Sequence, residues 1–207
     1  MKLYSTVRQI GQAEQIIEKS RFIAYVSPAH SKEEADEFIA AIRKKHKDAT
    51  HNVPAMVIGD KMQIQWASDD GEPQGTSGAP VVQMLVNQGV TNVVVVVTRY
   101  FGGIKLGTGG LVRAYTSSAK LGIESAGICD VEEMCILTYS FDYTHLSKLQ
   151  NLSADGIFSI ENIEYTDVVE VELACQPEKK EEVIALLTNL TGGKGMLKNQ
   201  RLELVKK

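Results

Sequence analysis

The spacing of apolar residues changes several times along the first 127 residues, which predicts alternating strands and helices. The predicted strands are a pair around a turn at Lys19–Ser20, a hairpin around Gly59–Asp60, and an uninterrupted valine strand at Val93–Val97. The predicted helices cover residues 31–47, 80–88 and 109–125. This first part of the chain is therefore expected to form one α/β domain over residues 1–127.

Local signals in this part support the predicted elements. Ser31 and Glu34 form a capping box at the start of the first helix. The valine run is β-branched and does not alternate with polar residues, which predicts a strand buried on both faces. Helical spacing places a mostly small set of residues on one face of the third helix, which suits close packing: Leu111, Ala114, Tyr115, Ser118, Ala119 and Gly122.

A second pattern begins after a predicted linker at residues 124–133. Residues 133–207 read as strand, helix, strand, strand, helix and strand, which is the order of the ferredoxin-like unit. The sequence thus predicts a two-domain α+β protein. The α/β domain over residues 1–127 is followed by a ferredoxin-like βαββαβ domain over residues 133–207.

Composition limits the classes of function. The chain has 207 residues and a formal net charge of −4. Residues 1–128 carry 14 basic and 12 acidic residues, and residues 129–207 carry 8 and 14, so a polyanion site would be a local patch in the first part. The sequence has no apolar run of the roughly 20 residues that would cross a bilayer, and residues 1–15 lack the apolar core of a signal peptide.

The three cysteines are interpreted as reduced thiols, because their number is odd and no C-x-x-C spacing occurs. Together with the composition, this favours a cytoplasmic protein that does not act at a membrane.

A glycine-rich segment after the valine run is the main candidate site. Five of the nine residues from Gly102 to Gly110 are glycine, and cations stand before, within and after them. Glycine lets amide groups approach a ligand, and the start of a helix attracts anions. The predicted anion or nucleic-acid site comprises Arg99, Gly102, Gly103, Lys105, Gly107, Gly109, Gly110, Arg113, Ser117 and Lys120.

This segment matches none of the common nucleotide-binding motifs. Val112 stands where the third glycine of G-x-G-x-x-G would fall, no Lys-Ser/Thr pair follows Gly107, and the later aromatics of the RNA-recognition motif are missing. A structural alternative therefore stays open, in which the glycines permit a tight turn and close helix packing and the arginines are solvated or paired with nearby acids. A protein-contact surface is a further alternative.

An acidic loop in the stretch SDDGEPQGTSGAP is a second candidate, comprising Asp69, Asp70 and Glu72, with His51 nearby in sequence. Its carboxylates suit magnesium or acid–base chemistry. We favour the other interpretation, an Asp-Gly turn whose carboxylates accept backbone N–H groups or pair with Arg99 or Arg113. No nucleophile and base stand together in the sequence, since Ser77 lacks the G-x-S-x-G context. We therefore predict no catalytic residue, metal ion or cofactor.

Three stretches in this order resemble the IMPACT family, of the bacterial YigZ type. They are ATHNV at 49–53, SDDGEPQGTSGAP at 68–80 and VVVVVTRYFGGIKLGTGGLVRAYTSSA at 93–119, and the resemblance covers residues 15–125 closely. It implies a first domain with the fold shared by RNase PH and a small-subunit ribosomal protein. It also implies a second, ferredoxin-like domain similar to a C-terminal domain of elongation factor G.

The resemblance also implies a role in translation. Eukaryotic relatives are translation regulators that compete for the activator of a starvation-responsive initiation-factor kinase and associate with ribosomes. That kinase pathway is eukaryotic, and residues 1–207 are not expected to contain the N-terminal RWD domain of those relatives, so the kinase-activator partner is not carried over.

Three hypotheses of function follow. The first is a non-enzymatic, cytoplasmic translation regulator that binds RNA or the ribosome through the basic glycine-rich segment, with other translation proteins as partners and no evident DNA specificity. The second is a metal-dependent enzyme that acts on a phosphorylated substrate through the acidic loop. The third is a protein–protein adaptor that docks through the acidic second domain. We favour the first.

Overall fold

The computed structural model describes residues 2–207, and these divide into two compact units. Apart from a few terminal residues, the first unit is Leu3–Val131 and the second is Glu132–Val205. This division and the arrangement of secondary structure confirm the predicted two-domain α+β class. In residues 2–207, no helix combines the length and the apolar character needed to cross a membrane.

The first unit contains the three predicted helices and the predicted strands. Its elements are β1 (Lys2–Val7), β2 (Gly11–Ile17), β3 (Ser20–Pro28), α1 (Lys32–Lys45), β4 (His51–Ile58), β5 (Ile64–Ala67), α2 (Gly78–Asn87), β6 (Val93–Tyr100) and α3 (Gly107–Ala126). The sequence reading missed β1, which attaches to the residues after α2 through the 2.9 Å hydrogen bond from Thr91 N to Ser5 O. The turn between β2 and β3 lies at Glu18 and Lys19, both with positive φ.

A five-stranded antiparallel sheet with the order β2-β3-β6-β4-β5 forms the centre of this unit. All five residues of Val93–Val97 are fully buried, which confirms the prediction for the valine strand. Val93, Val95 and Val97 pack with Phe22 and with residues of α2 and α3, whereas Val94 and Val96 pack with residues of α1. The run lacks polar alternation because helices cover both faces of the sheet.

The helices dock through the faces that their sequences predict. Ser31 caps α1 by accepting a hydrogen bond from Glu34 N at 3.2 Å. The predicted small-residue face of α3 is buried. A Cβ on Gly122 would lie 2.9 Å from Ala24 Cβ and 2.9 Å from Val26 Cγ2, so only glycine lets the helix approach β3 this closely. This close approach fixes the height of α3 above the sheet.

The second unit has the predicted ferredoxin-like order. Its elements are β7 (Ile128–Phe141), α4 (Leu146–Ser153), β8 (Phe158–Tyr165), β9 (Val169–Cys175), α5 (Lys180–Leu190) and β10 (Met196–Lys206). The four strands lie in the order β10-β7-β9-β8, in which the first and third strands of the βαββαβ unit are central. The segment predicted as a linker is the end of α3, a turn at Gly127 and the start of β7.

Candidate functional site

The glycine-rich segment divides into a short loop and the first turn of a helix. Only residues 101–106 lie between β6 and α3, and Gly107, Gly109 and Gly110 belong to α3. The residue that precedes this helix, Leu106, offers no side-chain hydrogen bond to the first-turn amides. The start of α3 therefore keeps backbone donors, together with the positive end of its dipole, available to an acceptor from outside.

Arg99, predicted as one of the cations of the anion site, does not lie on the surface. It is 4% exposed, and its Nη1 donates to Glu72 Oε1 at 2.7 Å while its Nη2 donates to Ser20 Oγ at 3.2 Å. The guanidinium also lies 5.3 Å from the ring centroids of Phe22 and Phe101. Arg99 is two residues beyond Val97 and shares its face of β6, so the strand alternation directs its side chain inward.

The other predicted cations are exposed. Lys105 lies in the loop, and Arg113 and Lys120 lie on α3. A Cβ built on Gly109 would be 3.7 Å from Arg113 Nη1, which places this guanidinium over the first turn of the helix. None of the three cations forms an ion pair with a carboxylate of residues 2–207. Ser117, on the same helix face, is exposed, and its hydroxyl accepts a 2.8 Å hydrogen bond from Gln15 Nε2.

Two loop glycines have a structural explanation. A Cβ on Gly102 would lie 2.0 Å from the carbonyl carbon of Lys19, and the Gly102 amide donates to Ser20 Oγ at 3.2 Å. Gly103 has a φ of +89°, which side chains disfavour. At these positions the structural alternative explains the glycines, because the loop must pass against the β2–β3 turn and then reverse.

The three carboxylates of the acidic loop turn away from one another. Asp69 accepts hydrogen bonds from Gly75 N, Ser77 Oγ and Gly78 N at 2.7, 2.6 and 3.0 Å, and so caps the start of α2. Burial alone would raise the pKa of Asp69, but these hydrogen bonds together hold it below its ordinary value. Asp69 thus acts as the backbone acceptor that the favoured interpretation of the loop describes.

Asp70 and Glu72 have other partners. Asp70 accepts from Asn52 N at 2.6 Å and from Arg43 Nη2 at 3.1 Å. Within the described part of the chain, no three acidic, histidine or cysteine side chains are grouped as metal ligands. The predicted alternative of one magnesium site shared by Asp69, Asp70 and Glu72 is therefore not supported, since their carboxylates already bind three separate parts of the protein.

Glu72 is the centre of a buried polar cluster, which we define as Glu72, Arg99, Tyr115 and His51. Its Oε1 accepts from Arg99 and also from the phenol of Tyr115 at 2.6 Å, and its Oε2 lies 3.7 Å from His51 Nε2. The other ring nitrogen of His51 is 2.8 Å from the carbonyl oxygen of Asp70. Burial, and then the hydrogen bond to Glu72, raise the pKa of Tyr115, so the phenol stays neutral.

Sequence reasoning assigned no polar role to Tyr115. It placed this residue on the packed face of α3, which the structure confirms. A buried tyrosine hydroxyl nearly always requires a hydrogen-bond partner, and that requirement was the available signal. The partner itself, Glu72, lies 43 residues away in the chain and is brought there by the fold.

A surface cavity of about 430 Å³ lies beside this cluster. It is lined by the start of α3 and Lys105, and also by the cluster residues His51, Glu72 and Arg99. The apolar side chains at its wall are Pro73, Phe101, Leu106 and Leu111. A second cavity, of about 440 Å³, is lined by the predicted residues Gly110, Arg113 and Ser117 and again by Lys105. Six of the ten predicted binding residues thus line two cavities that share Lys105, whereas Gly102, Gly103, Gly109 and Lys120 line neither of them.

Comparison with known proteins identifies the family of the chain. Residues 18–123 match the Impact N-terminal domain, and residues 140–194 match a domain of unknown function, DUF1949. The IMPACT family member YvyE of Bacillus subtilis (strain 168) is 42% identical over 204 residues, which cover 99% of this chain and 94% of that protein. The IMPACT family member YigZ of Escherichia coli (strain K12) is 35% identical over 86% of this chain and 88% of its own length.

A solved structure supports the same relationship. A crystal structure of a hypothetical protein is 32% identical and superposes with a TM-score of 0.61, covering 95% of this chain and 97% of that one. Both units are therefore related to known proteins along nearly their whole length. Because the first match spans half of the sequence and the Bacillus subtilis relative aligns over almost all of it, the chain belongs to the IMPACT family.

Proposed function

We propose that this protein is a non-enzymatic, cytoplasmic translation regulator whose first unit binds phosphate groups of RNA or of the ribosome at the start of α3. The observation that carries the proposal is an uncapped helix start with exposed cations beside it, Lys105 and Arg113, and a third, Lys120, further along α3. Lys105, Arg113 and Lys120 are all exposed, and no carboxylate of residues 2–207 neutralises them. Phosphate is a preferred partner of such a helix start, because free amides and the dipole both favour an anion.

The structure changes the residues assigned to this function. Arg99 acts indirectly, because its ion pair with Glu72 fixes the acidic loop against β6. Arg113, whose Nη1 would lie 3.7 Å from a Cβ on Gly109, is a cation at the first turn. A cation in this position opposes the helix dipole, and a bound phosphate would relieve that conflict.

Membership of the IMPACT family supports a role in translation, since the eukaryotic proteins that the sequence resembles are translation regulators. The hypothesis of a metal-dependent enzyme loses its support because the acidic-loop carboxylates bind separate partners. The adaptor hypothesis assigns binding to the acidic second unit, so residues 129–207 alone should capture the partner if it holds. Retention that requires residues 1–128 favours the phosphate-binding function.

The test is RNA and ribosome binding as a function of salt. Fluorescence anisotropy with a single-stranded RNA and co-sedimentation with purified ribosomes would compare wild type with the triple variant Lys105→Ala, Arg113→Ala and Lys120→Ala. Each lost contact to single-stranded RNA lowers the slope of log affinity against log salt by about 0.7, so the triple variant should lose about 2 from the slope.

A matched control removes the same charge elsewhere. Lys44→Ala, Lys47→Ala and Lys61→Ala replace three exposed lysines outside the α3 region. This control should keep the wild-type slope within about 0.5, because it removes none of the proposed contacts. Equal losses in both triple variants would indicate a general charge effect and would contradict the proposed site. Unchanged binding in the α3 variant would do the same.

A further inference from the structure

The cavity of about 430 Å³ beside the start of α3 is lined by two chemically different sets of residues. One set comprises Lys105 and the first residues of α3, Gly107 and Thr108. The other set is apolar and includes Phe101 and Leu111. A ligand that contacts both sets would join an anionic group to a flat or apolar group.

Arg99 provides an independent sign of a ligand in this cavity. Its side chain is 5% exposed and lines the cavity, and its Nε has no hydrogen-bond partner among the described residues. Buried donors are rarely left unpaired, because removing them from water without a new acceptor is costly. An acceptor atom of a bound ligand would complete the hydrogen bonding of this guanidinium.

The charge of the lining favours an anion. The positive charge of Arg99 is balanced by Glu72 at 2.7 Å, so these two residues contribute little net charge. Lys105 is exposed and has no carboxylate partner within residues 2–207, and it stands beside the free amides of the helix start. With the histidine neutral, the charged side chains that line the cavity, Glu72, Arg99 and Lys105, therefore sum to one positive charge.

Phe101 supplies a surface for a planar group. Its side chain is 46% exposed, while the Arg99 guanidinium lies 5.3 Å from its ring centroid. Aromatic side chains stack with any nucleobase, because every base has a π face. The volume falls within the ~300–1,000 Å³ of typical small-molecule sites and exceeds what a bare phosphate needs.

We propose that this cavity holds one unstacked nucleotide of a single-stranded RNA, with its phosphate at the start of α3 beside Lys105 and its base against Phe101. This assignment rests on the proposed function and specifies the form of RNA that the protein recognises. A base-paired nucleotide cannot enter, because its base is held in the stack and its pairing edge is occupied.

The first experiment measures the binding of AMP, UMP and inorganic phosphate to the full chain by calorimetry at low salt. We expect both nucleotides to bind at least about tenfold more tightly than phosphate, which is the lower range of one base-stacking contact. Phe101→Ala should remove this advantage and leave phosphate binding unchanged. Ile104→Ala is the matched control, because Ile104 is exposed in the same loop and lines the neighbouring cavity instead.

A second variant blocks the space rather than removing the stacking surface. Thr108 is exposed and lines the cavity, so Thr108→Trp should exclude the nucleotide without disturbing the core. Circular dichroism spectra and melting temperatures that match wild type would show that both variants are folded. Nucleotides that bind no better than phosphate, or an unchanged affinity for them in both Phe101→Ala and Thr108→Trp, would overturn the proposal.

A third experiment distinguishes recognition of a nucleotide within an RNA strand from recognition of a free nucleotide. A single-stranded oligonucleotide should bind at least about tenfold more tightly than its blunt-ended duplex and more tightly than AMP. Equal affinity for AMP and for the oligonucleotide would overturn the assignment to RNA and indicate a free nucleotide as ligand. If the cavity variants change nothing but the triple cation variant still loses salt-dependent RNA binding, this inference fails while the proposed function stands.

Discussion

Tyr115 donates a hydrogen bond of 2.6 Å to Glu72 Oε1, and this oxygen also accepts the 2.7 Å hydrogen bond from Arg99. One carboxylate oxygen thus joins the acidic loop to both α3 and β6. All three side chains are buried, so these contacts are little screened by solvent. The shape of the cavity beside α3 therefore depends on a small number of charged hydrogen bonds.

Tyr115→Phe removes one of these bonds without opening space. We expect the free energy of unfolding to fall by about 1.5–3 kcal/mol, the usual contribution of a hydrogen bond to a charged group. Urea denaturation measures the loss. Tyr165→Phe is the control, because Tyr165 is 62% exposed and its change should stay within about 0.5 kcal/mol. Equal effects of the two substitutions would contradict the importance of the Glu72 contact.

Because its pKa is raised in the folded protein, Tyr115 should make the free energy of unfolding decrease at alkaline pH. Burial and the bond to Glu72 raise the pKa of Tyr115 in the folded protein, while the unfolded phenol ionises near pH ~10. Its stabilising contribution is therefore complete below pH ~10 and declines as the pH rises toward the folded-state pKa, by up to about 1.4 kcal/mol per pH unit. Denaturation curves from pH 8 to 11 should be flatter for Tyr115→Phe than for wild type. Parallel pH profiles would contradict the assignment.

Removing one charge of the Arg99–Glu72 ion pair should lower the free energy of unfolding more than replacing both charges with apolar side chains. Arg99→Met leaves the Glu72 carboxylate buried without its cation, and we expect a loss of about 3–5 kcal/mol. The double variant Arg99→Met with Glu72→Met removes both charges and should be markedly more stable than the sum of the single variants. Chemical denaturation of the four proteins gives the coupling energy. Arg113→Ala, at an exposed cation, should change stability by less than about 0.5 kcal/mol. Additive losses at the pair would show that the charges are not coupled.

Asp69→Ala should destabilise the start of α2. The carboxylate accepts hydrogen bonds from Gly75, Ser77 and Gly78, and loss of a helix cap typically costs about 0.5–2 kcal/mol. The pKa of Asp69 is lowered in the folded protein, so its contribution is present above the unfolded pKa of ~4 and disappears as the pH falls through the folded value. The free energies of unfolding of wild type and Asp69→Ala should therefore differ at pH 7 and become equal at acidic pH. A constant difference down to pH 2 would contradict this role.

Two glycines of the candidate site should respond differently to alanine. At Gly102 a Cβ would lie 2.0 Å from the backbone of Lys19, so Gly102→Ala should lose about 1–3 kcal/mol and displace the loop. At Gly109 only Arg113 Nη1 lies near, at 3.7 Å, and Gly109→Ala should be neutral or stabilise the helix by up to about 1 kcal/mol. Melting temperatures compare the two. Equal destabilisation would show that steric conflict is not the reason for glycine at position 102.

The spacing of apolar residues predicted most helices and strands, because a helix or strand with a buried face must place apolar residues at the positions that form this face. The unbroken Val93–Val97 run identified a strand covered on both faces, and Ser31 with Glu34 identified the start of α1. The βαββαβ order identified the fold of the second unit, since that order admits few sheet topologies. The strand β1 was missed because it carries no strong alternation, and the predicted linker was instead the end of α3 and the start of β7.

The candidate site was predicted only in part. Lys105 and Arg113 lie beside a helix start as predicted, whereas Arg99 was predicted as a binding cation although it shares the inward-facing side of β6 with Val97. The sequence left two interpretations of the acidic loop open, and the observed contacts agree with the favoured one for Asp69 as a cap and for Glu72 as the partner of Arg99. The role of Tyr115 became visible only with its partner in place.

The sequence alone determined most of the secondary structure, the presence of two units and the concentration of glycine and positive charge around the start of α3, because each depends mainly on neighbouring residues. The tertiary structure alone decided which of those charges face solvent and which are neutralised. That outcome depends on contacts such as Arg99 with Glu72 and Glu72 with Tyr115, whose partners are 27 and 43 residues apart. A charged side chain is available for binding when it faces solvent, and it stabilises the fold when a buried opposite charge contacts it. Local sequence carries little information about such distant partners.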